Sequence, residues 1–286
     1  MRNTAVFGPG GNSESFYAAG YKSTTEAPFF LQKLGLGAYE VEAGNGLRIS
    51  DATLQKIGDA ARSCGIELSL HSPYFISLSS VEEEKRIKSV TYIMDCVRAC
   101  ELLGADTVVI HAGSAGKIAR AEAMALAADT LARALDALGD SPVTLGIETM
   151  GKMNQLGTLD EVISLCAADK RLSPVVDFGH LNARERGGLF PNADAYARVF
   201  DAVGERLGDE KARYMHCHFS KIEYTSAGEK RHLTFDDQTF GPEFHPLGEV
   251  LAKQNLCPRI ICESAGTMSE DALLMQNAYL AAKGAL

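Results

Sequence analysis

Six short runs rich in β-branched or apolar residues close on a residue able to bind a metal ion: His71, His111, Glu148, Asp177, His218 and Glu263. A seventh candidate, His180, follows in Asp177-Phe-Gly-His180, where it can reach back over the same strand end. Imidazole and carboxylate donors without a thiolate suit Zn²⁺, Mn²⁺ or Co²⁺ and disfavour iron–sulfur or copper redox chemistry. More ligands converge than one ion requires, so a site with two or three metal ions is expected. Such a centre can clamp a phosphodiester while a bound water of lowered pKa attacks it. A lone histidine in an apolar run is more often a core residue, but convergence at six consecutive strand ends favours a site.

The elements that must bring these residues together are legible. Eight candidate strands cover residues 4–7, 38–42, 67–71, 107–111, 144–148, 174–177, 214–218 and 259–263, and stretches with helical periodicity separate them. Ser80-Val-Glu-Glu83 and Thr158-Leu-Asp-Glu161 have the form of capping boxes, and Ser50 and Ser269 read as further N-caps. Gly35, Gly65 and Gly104 fall where helices should end. This alternation over residues 1–286 predicts a single-domain α/β fold, the eight-stranded parallel (β/α)8 TIM barrel, whose strand C-termini meet at one mouth. Strand alternation also sorts the histidines of Tyr-Met-His-Cys-His: with His218 at the mouth, His216 lies one layer deeper and reads as a core residue. The run Glu82-Glu83-Glu84-Lys85-Arg86 reads as a solvated helix start.

Composition narrows the class. The chain has 286 residues, 28 Lys and Arg against 37 Asp and Glu, and a formal net charge of −9. That balance argues against a surface coated with positive charge for nucleic acid, although bound divalent cations could still recruit a phosphate. No apolar run approaches a membrane span and no signal-peptide pattern opens the chain, so a cytoplasmic location and no membrane partner are expected. The seven cysteines are odd in number and lack a C-x-x-C pair, as expected of buried free thiols. Gly8-Pro-Gly-Gly11 reads as a tight turn in preference to a phosphate cradle, since no P-loop lysine follows.

From about Ser69 to Ala265 the strand-end motifs resemble those of the endonuclease IV family, apurinic/apyrimidinic endonucleases of the xylose-isomerase-like barrel superfamily. His71-Ser-Pro-Tyr74-Phe-Ile76 is similar to the family's H-x-x-Y-x-I, Ile110-His111-Ala-Gly113 to its I-H-x-G, and Asp177-Phe-Gly-His180 to its D-x-x-H. Gly146-Ile-Glu148 resembles the strand of the bridging glutamate, His218-Phe-Ser-Lys221 the family's seventh strand end, and Cys262-Glu263-Ser264 its L-E-T. The resemblance implies a DNA-repair hydrolase with a trinuclear zinc cluster that cleaves DNA 5′ to an abasic site through metal-activated hydroxide. Glu148 and Glu263 would be its central carboxylates, and His71, His111, Asp177, His180, His218 and His232 would complete the ligands. Tyr74 and Arg48 would contact DNA.

The chain departs from the family in places. The D-x-H of the seventh-strand loop is replaced by Glu229-Lys-Arg-His232, with one extra residue, so Glu229 is a possible further ligand and His245 a competing histidine. Phe7-Gly-Pro-Gly-Gly-Asn12 lacks an early family histidine. The alternative within the superfamily is a sugar isomerase or epimerase, acting on a small sugar or sugar phosphate, in which Glu148, Asp177, His218 and Glu263 hold a single Mn²⁺ or Mg²⁺ in place of two or three zinc ions. A barrel that binds metal without cutting DNA is a third possibility.

Overall fold

In the computed structural model, which describes residues 2–285, eight parallel strands close into a barrel. They are β1 (Val6–Pro9), β2 (Ala38–Glu42), β3 (Glu67–His71), β4 (Thr107–His111), β5 (Thr144–Glu148), β6 (Leu172–Asp177) and β7 (His216–Phe219), followed by a hairpin of β8 (Ile222–Thr225) and β9 (Gly228–His232), and β10 (Arg259–Cys262). The sheet runs β1-β10-β7-β6-β5-β4-β3-β2. Its two ends meet through a parallel bridge between Gly10 and Glu40 and a 3.0 Å bond from the Gly11 amide to the Glu40 carbonyl. The fold is therefore the single (β/α)8 TIM barrel expected. Closure explains Gly8: a Cβ at that position would stand 1.7 Å from the carbonyl oxygen of Ala38 on β2, a distance no side chain tolerates.

Strands β2 to β5 occupy the expected residues. β1 begins later, at Val6, because its register is set by the pairing of Val6 with Arg259; β10 stops at Cys262, and Glu263 follows with its amide still bonded to the Phe219 carbonyl at 3.2 Å. Ser50 and Thr158 cap helices Asp51–Cys64 and Leu159–Cys166, and Gly35, Gly65 and Gly104 close theirs in the left-handed region. Two expected caps are corrected. Helix Glu83–Leu103 starts beyond reach of Ser80, whose hydroxyl accepts from the Glu82 amide, and helix Met268–Gly284 starts before Ser269, which is buried against Ser13. Arg86 is also not solvated: it is buried, with its guanidinium on the Ser80 carbonyl at 2.7 Å.

The apolar core lies between sheet and helices, where Tyr39, Val41, Leu70, Ile110, Ile147 and Val176 meet the helical faces. Because strand side chains alternate, the residues between them point into the barrel, where Glu40, Ser69, His216 and Arg259 lie buried beside Val109, Val175 and Ile261. All seven thiols are free, and all but Cys64 are buried. Among the described residues no helix is long and apolar enough to cross a membrane.

Candidate metal centre

The C-terminal ends of the strands enclose a cavity of about 480 Å³. Its lining includes His71, His111, Glu148, His180 and Glu263, each at a strand end or on the loop after it, together with Glu229 and His232 from the β8–β9 hairpin. Asp177 and His218 are fully buried beneath it. A larger hollow of about 810 Å³ lies at the other end of the barrel among Arg2, Glu67, Asp106 and Lys211, but barrel enzymes place their chemistry at the C-terminal mouth.

Four groups of ligand atoms share Glu148 or Glu263: His71, His111 and Glu148; Glu148, Asp177, His218 and Glu263; His180, His232 and Glu263; and Glu40, Glu42 and Glu263. The separations inside them are informative. His71 Nε2 and His111 Nε2 stand 3.4 and 3.2 Å from Glu148 Oε2, and His218 Nδ1 is 3.2 Å from Glu148 Oε1 and 3.3 Å from Glu263 Oε1; outside these groups, His180 Nε2 is 3.4 Å from Glu229 Oε2. These distances lie at or beyond the long end of the hydrogen-bond range, and they match the edge of about 3.3 Å between two ligands of a tetrahedral ion with bonds of about 2.0–2.1 Å. Glu148 Oε2 and Asp177 Oδ2 are moreover buried without a hydrogen-bond donor, a costly arrangement that a cation relieves. The residues present therefore fit a cluster of divalent ions.

Electrostatics agree with that fit. Burial would raise the Glu148 carboxyl, but His111, His180 and His218 hold it well below the usual carboxylate range. Burial opposes charge on His71, yet the neighbouring carboxylates of Glu148 and Glu42 hold its pKa up at about 10. His180 and His218 are likewise raised against burial, chiefly by Asp177 and by Glu263 respectively. Burial, with Glu148 and Asp177 nearby, pushes Glu263 up to about 8. His111 and His232 are lowered, first by burial. Without ions, buried carboxylates and imidazolium protons thus neutralise one another.

Local structure places each candidate ligand. Asp177 caps helix Phe178–Arg184 by accepting from the His180 amide at 2.6 Å, which turns the His180 ring into the mouth. Backbone carbonyls lie 2.9 Å from the second ring nitrogens of His71 and His180, those of Ser72 and Thr149, leaving Nε2 of each for an ion. The loop 150–155 is strapped down by Arg184, which donates to the carbonyls of Met150, Lys152, Met153 and Gln155. That loop carries the hairpin, through bonds from the Glu229 amide to the Gly151 carbonyl and from the Met153 amide to the Ala227 carbonyl, both 3.0 Å.

Glu229 and His232 both line the mouth, so the extra residue between them is accommodated. His245 is excluded: it opens helix His245–Lys253, its side chain is 72% exposed, and it pairs with Glu249. Tyr74 stands on the rim with its hydroxyl donating to Asn45 at 2.9 Å, whereas Arg48, in the loop after β2, is not among the cavity-lining residues. His216 is the deep residue expected, bonded between Glu40 and Arg259, and burial with the adjacent guanidinium pushes it down to about 4.

Two glutamates escaped the sequence reading. Glu40 lies fully buried inside the barrel, and Glu42 is exposed at the mouth, where crowding by the surrounding protein and the charges of Glu40 and Glu148 raise its carboxyl. The signal was present in Ala-Tyr-Glu-Val-Glu, where acids alternate with core residues on a strand buried on both faces.

Residues 30–279 match the family model described as xylose isomerase-like TIM barrel. An uncharacterized protein of Methanocaldococcus jannaschii is 30% identical over 270 residues, 92% of this chain and 96% of its own. A probable endonuclease 4 of Mycoplasma pneumoniae is 28% identical over 159 residues, which is about half of either chain, 53% and 52%. Among solved structures, a D-tagatose 3-epimerase-like protein superposes with a TM-score of 0.66 at 19% identity, covering 87% of this chain and 90% of that one, which speaks for the fold alone.

Proposed function

The chain belongs to the xylose isomerase-like TIM barrel family, and we propose that within it the protein is a zinc-dependent phosphodiesterase of the endonuclease IV type, cutting DNA on the 5′ side of an abasic site. The observation that carries this is the surplus of imidazoles: His111, His180 and His232 join ligand groups beyond the set of Glu148, Asp177, His218 and Glu263 that one ion would use. Three ions, if bound, would supply a water of lowered pKa and positive charge for the scissile phosphate. Glu148, shared between two groups, and Glu263, shared between three, would fix the spacing of neighbouring ions. Tyr74, 60% exposed and edge-on to Phe75, offers an aromatic face to the base stack beside the lesion. Lys152 on the cavity wall and Arg48 in the neighbouring loop would meet flanking phosphates.

The test is a duplex with one abasic site, incubated with protein loaded with zinc and with protein stripped by chelator. Incision by the loaded protein, lost on stripping and regained with zinc, is expected; an intact duplex at micromolar loaded protein would falsify the proposal.

One feature favours the sugar isomerase or epimerase reading. Lys152 is the one lysine or arginine among the described residues lining the cavity, which Glu42 makes more acidic, and its volume suits a small sugar. Two of the carboxylates at strands β5, β6 and β10 would then move a proton beside a carbonyl. Interconversion of a ketose pair by protein holding one Mn²⁺, without nicking, would select it.

A further inference from the structure

Beneath the candidate centre the barrel axis holds a file of polar side chains to which the proposed chemistry gives no part. Glu40, on β2, has no exposed surface. Its Oε2 accepts from the Ser69 hydroxyl at 2.7 Å and from His216 Nε2 at 2.9 Å. The direction of the second bond is fixed, because Arg259 Nε–H, a permanent donor, points at His216 Nδ1 from 2.8 Å and leaves the ring proton on Nε2. Arg259 is in turn held by Asp106 Oδ1 at 2.7 Å and the Leu68 carbonyl at 3.2 Å. At the upper end of the file, Glu40 Oε1 lies 2.9 Å from His218 Nε2 in a contact that stops short of a full hydrogen bond, and neither atom has another partner. The opposite ring nitrogen, Nδ1, faces Glu148 and Glu263.

We propose that Glu40 is the positioning residue that sets the tautomer of His218, keeping the ring proton on Nε2 so that the Nδ1 lone pair is presented to the ion held with Glu148, Asp177 and Glu263. The inference rests on the metal-centre reading above. His71 and His180 have backbone carbonyls at their second nitrogens, but Nε2 of His218 points down the barrel axis, where Glu40 Oε1 is the acceptor at hand. Carboxylate partners of this kind orient a ligating imidazole and increase its basicity. Drawing electron density from Nδ1 makes Nε2–H a stronger donor, so ion binding should tighten the 2.9 Å contact. The Glu40, His216 and His218 triad is not a further cation site on this account, because the Arg259 guanidinium already places a positive charge against His216.

The substitution Glu40→Gln separates this role from packing. Two donors, Ser69 Oγ–H and His216 Nε2–H, converge on the Oε2 side and select the amide oxygen there, which turns the amide NH₂ toward His218 Nε2. That nitrogen must then accept, the proton moves to Nδ1, and the ligand lone pair is lost, as when an amide replaces the carboxylate of a catalytic dyad. Zinc titration of wild type and variant against a competing chelator should show the tightest class of sites weakened about 10–100-fold in the variant. Circular dichroism of both proteins without metal should show the same folded barrel. In zinc-loaded wild type, ¹⁵N spectra of the histidine rings should place the His218 proton on Nε2. A wild type that takes up no divalent metal overturns the metal-centre reading itself. A wild type that binds zinc while Glu40→Gln binds it equally well, or whose His218 carries its proton on Nδ1, overturns the role of Glu40 alone, and the wild-type spectrum decides even if the variant does not fold.

Discussion

Glu229 and His232 face the same side of β9 although two residues lie between them. Residues three apart on a regular strand point opposite ways. Here Lys230 bulges out between the Glu223–Arg231 and Tyr224–Glu229 pairs, which brings both side chains into phase with Ile222 and Tyr224. The bulge thus absorbs the residue by which this hairpin departs from an acid-x-His spacing. A chain lacking Lys230 should therefore keep its full complement of ions, counted by plasma mass spectrometry. The lost pair joins an exposed lysine to Glu223, which keeps Arg231, so it contributes little. Inserting an alanine after Lys230 should instead turn Glu229 away and lower the count; a deletion that loses an ion would refute the account of the bulge.

His111 distinguishes the two chemistries. Its Nε2 is 3.2 Å from Glu148 Oε2, yet it lies outside the group of Glu148, Asp177, His218 and Glu263. In a multi-ion phosphodiesterase, His111→Ala should remove one ion and depress incision more than about 100-fold, the scale set by removing a group that stabilises developing charge. An isomerase should keep its single ion unchanged. Metal counts and the nicking assay on one preparation report both.

Arg184 should act on the centre from a distance. Its guanidinium, buried under the loop 150–155, bonds four backbone carbonyls of the segment on which Glu229 is hung. Arg184→Met keeps much of the bulk and leaves those carbonyls short of donors, at a cost on the order of 2–4 kcal/mol. Thermal unfolding of the metal-free protein should register that loss. Zinc titration should show the ion near His180, Glu229 and His232 weakening before the others. Uniform weakening would point to general destabilisation.

The sequence was most readable where periodicity and chemistry coincide. Residues 107–111 and 144–148 are apolar runs that end abruptly on His111 and Glu148, and a parallel strand buried on both faces has few other reasons to stop on such groups. The hairpin was not legible, because β8 and β9 are short and polar, and their register depends on contacts with loop 150–155 far away in sequence. Glu40 was missed for a related reason: its partners Ser69 and His216 come from β3 and β7, and only closure of the barrel brings them together. Ser80 and Ser269 matched a local capping pattern that tertiary packing overrode.

The raised imidazoles dictate how metal and pH must interact. His71 moves from about 6.5 in an unfolded chain to about 10 in the folded one, so its contribution to stability is complete below about 6.5 and disappears as pH rises through 10. Glu263, raised from 4.5 to about 8, has the same sign: it favours folding most below 4.5 and loses that contribution through 8. Glu148, held low, acts oppositely and protects only above its unfolded value. The metal-free barrel should therefore lose thermal stability between about pH 6.5 and 10, with its best range lying below that. Divalent ions need deprotonated ligands, so zinc must displace protons from His71, His180 and His218, and its affinity should rise with pH across the same interval. Melting curves with and without zinc should diverge as pH increases, and calorimetry in buffers of different ionisation enthalpy should record net proton release on binding. A zinc-induced rise in melting temperature that stays constant from pH 6.5 to 9 would mean that these imidazoles are not the ligands.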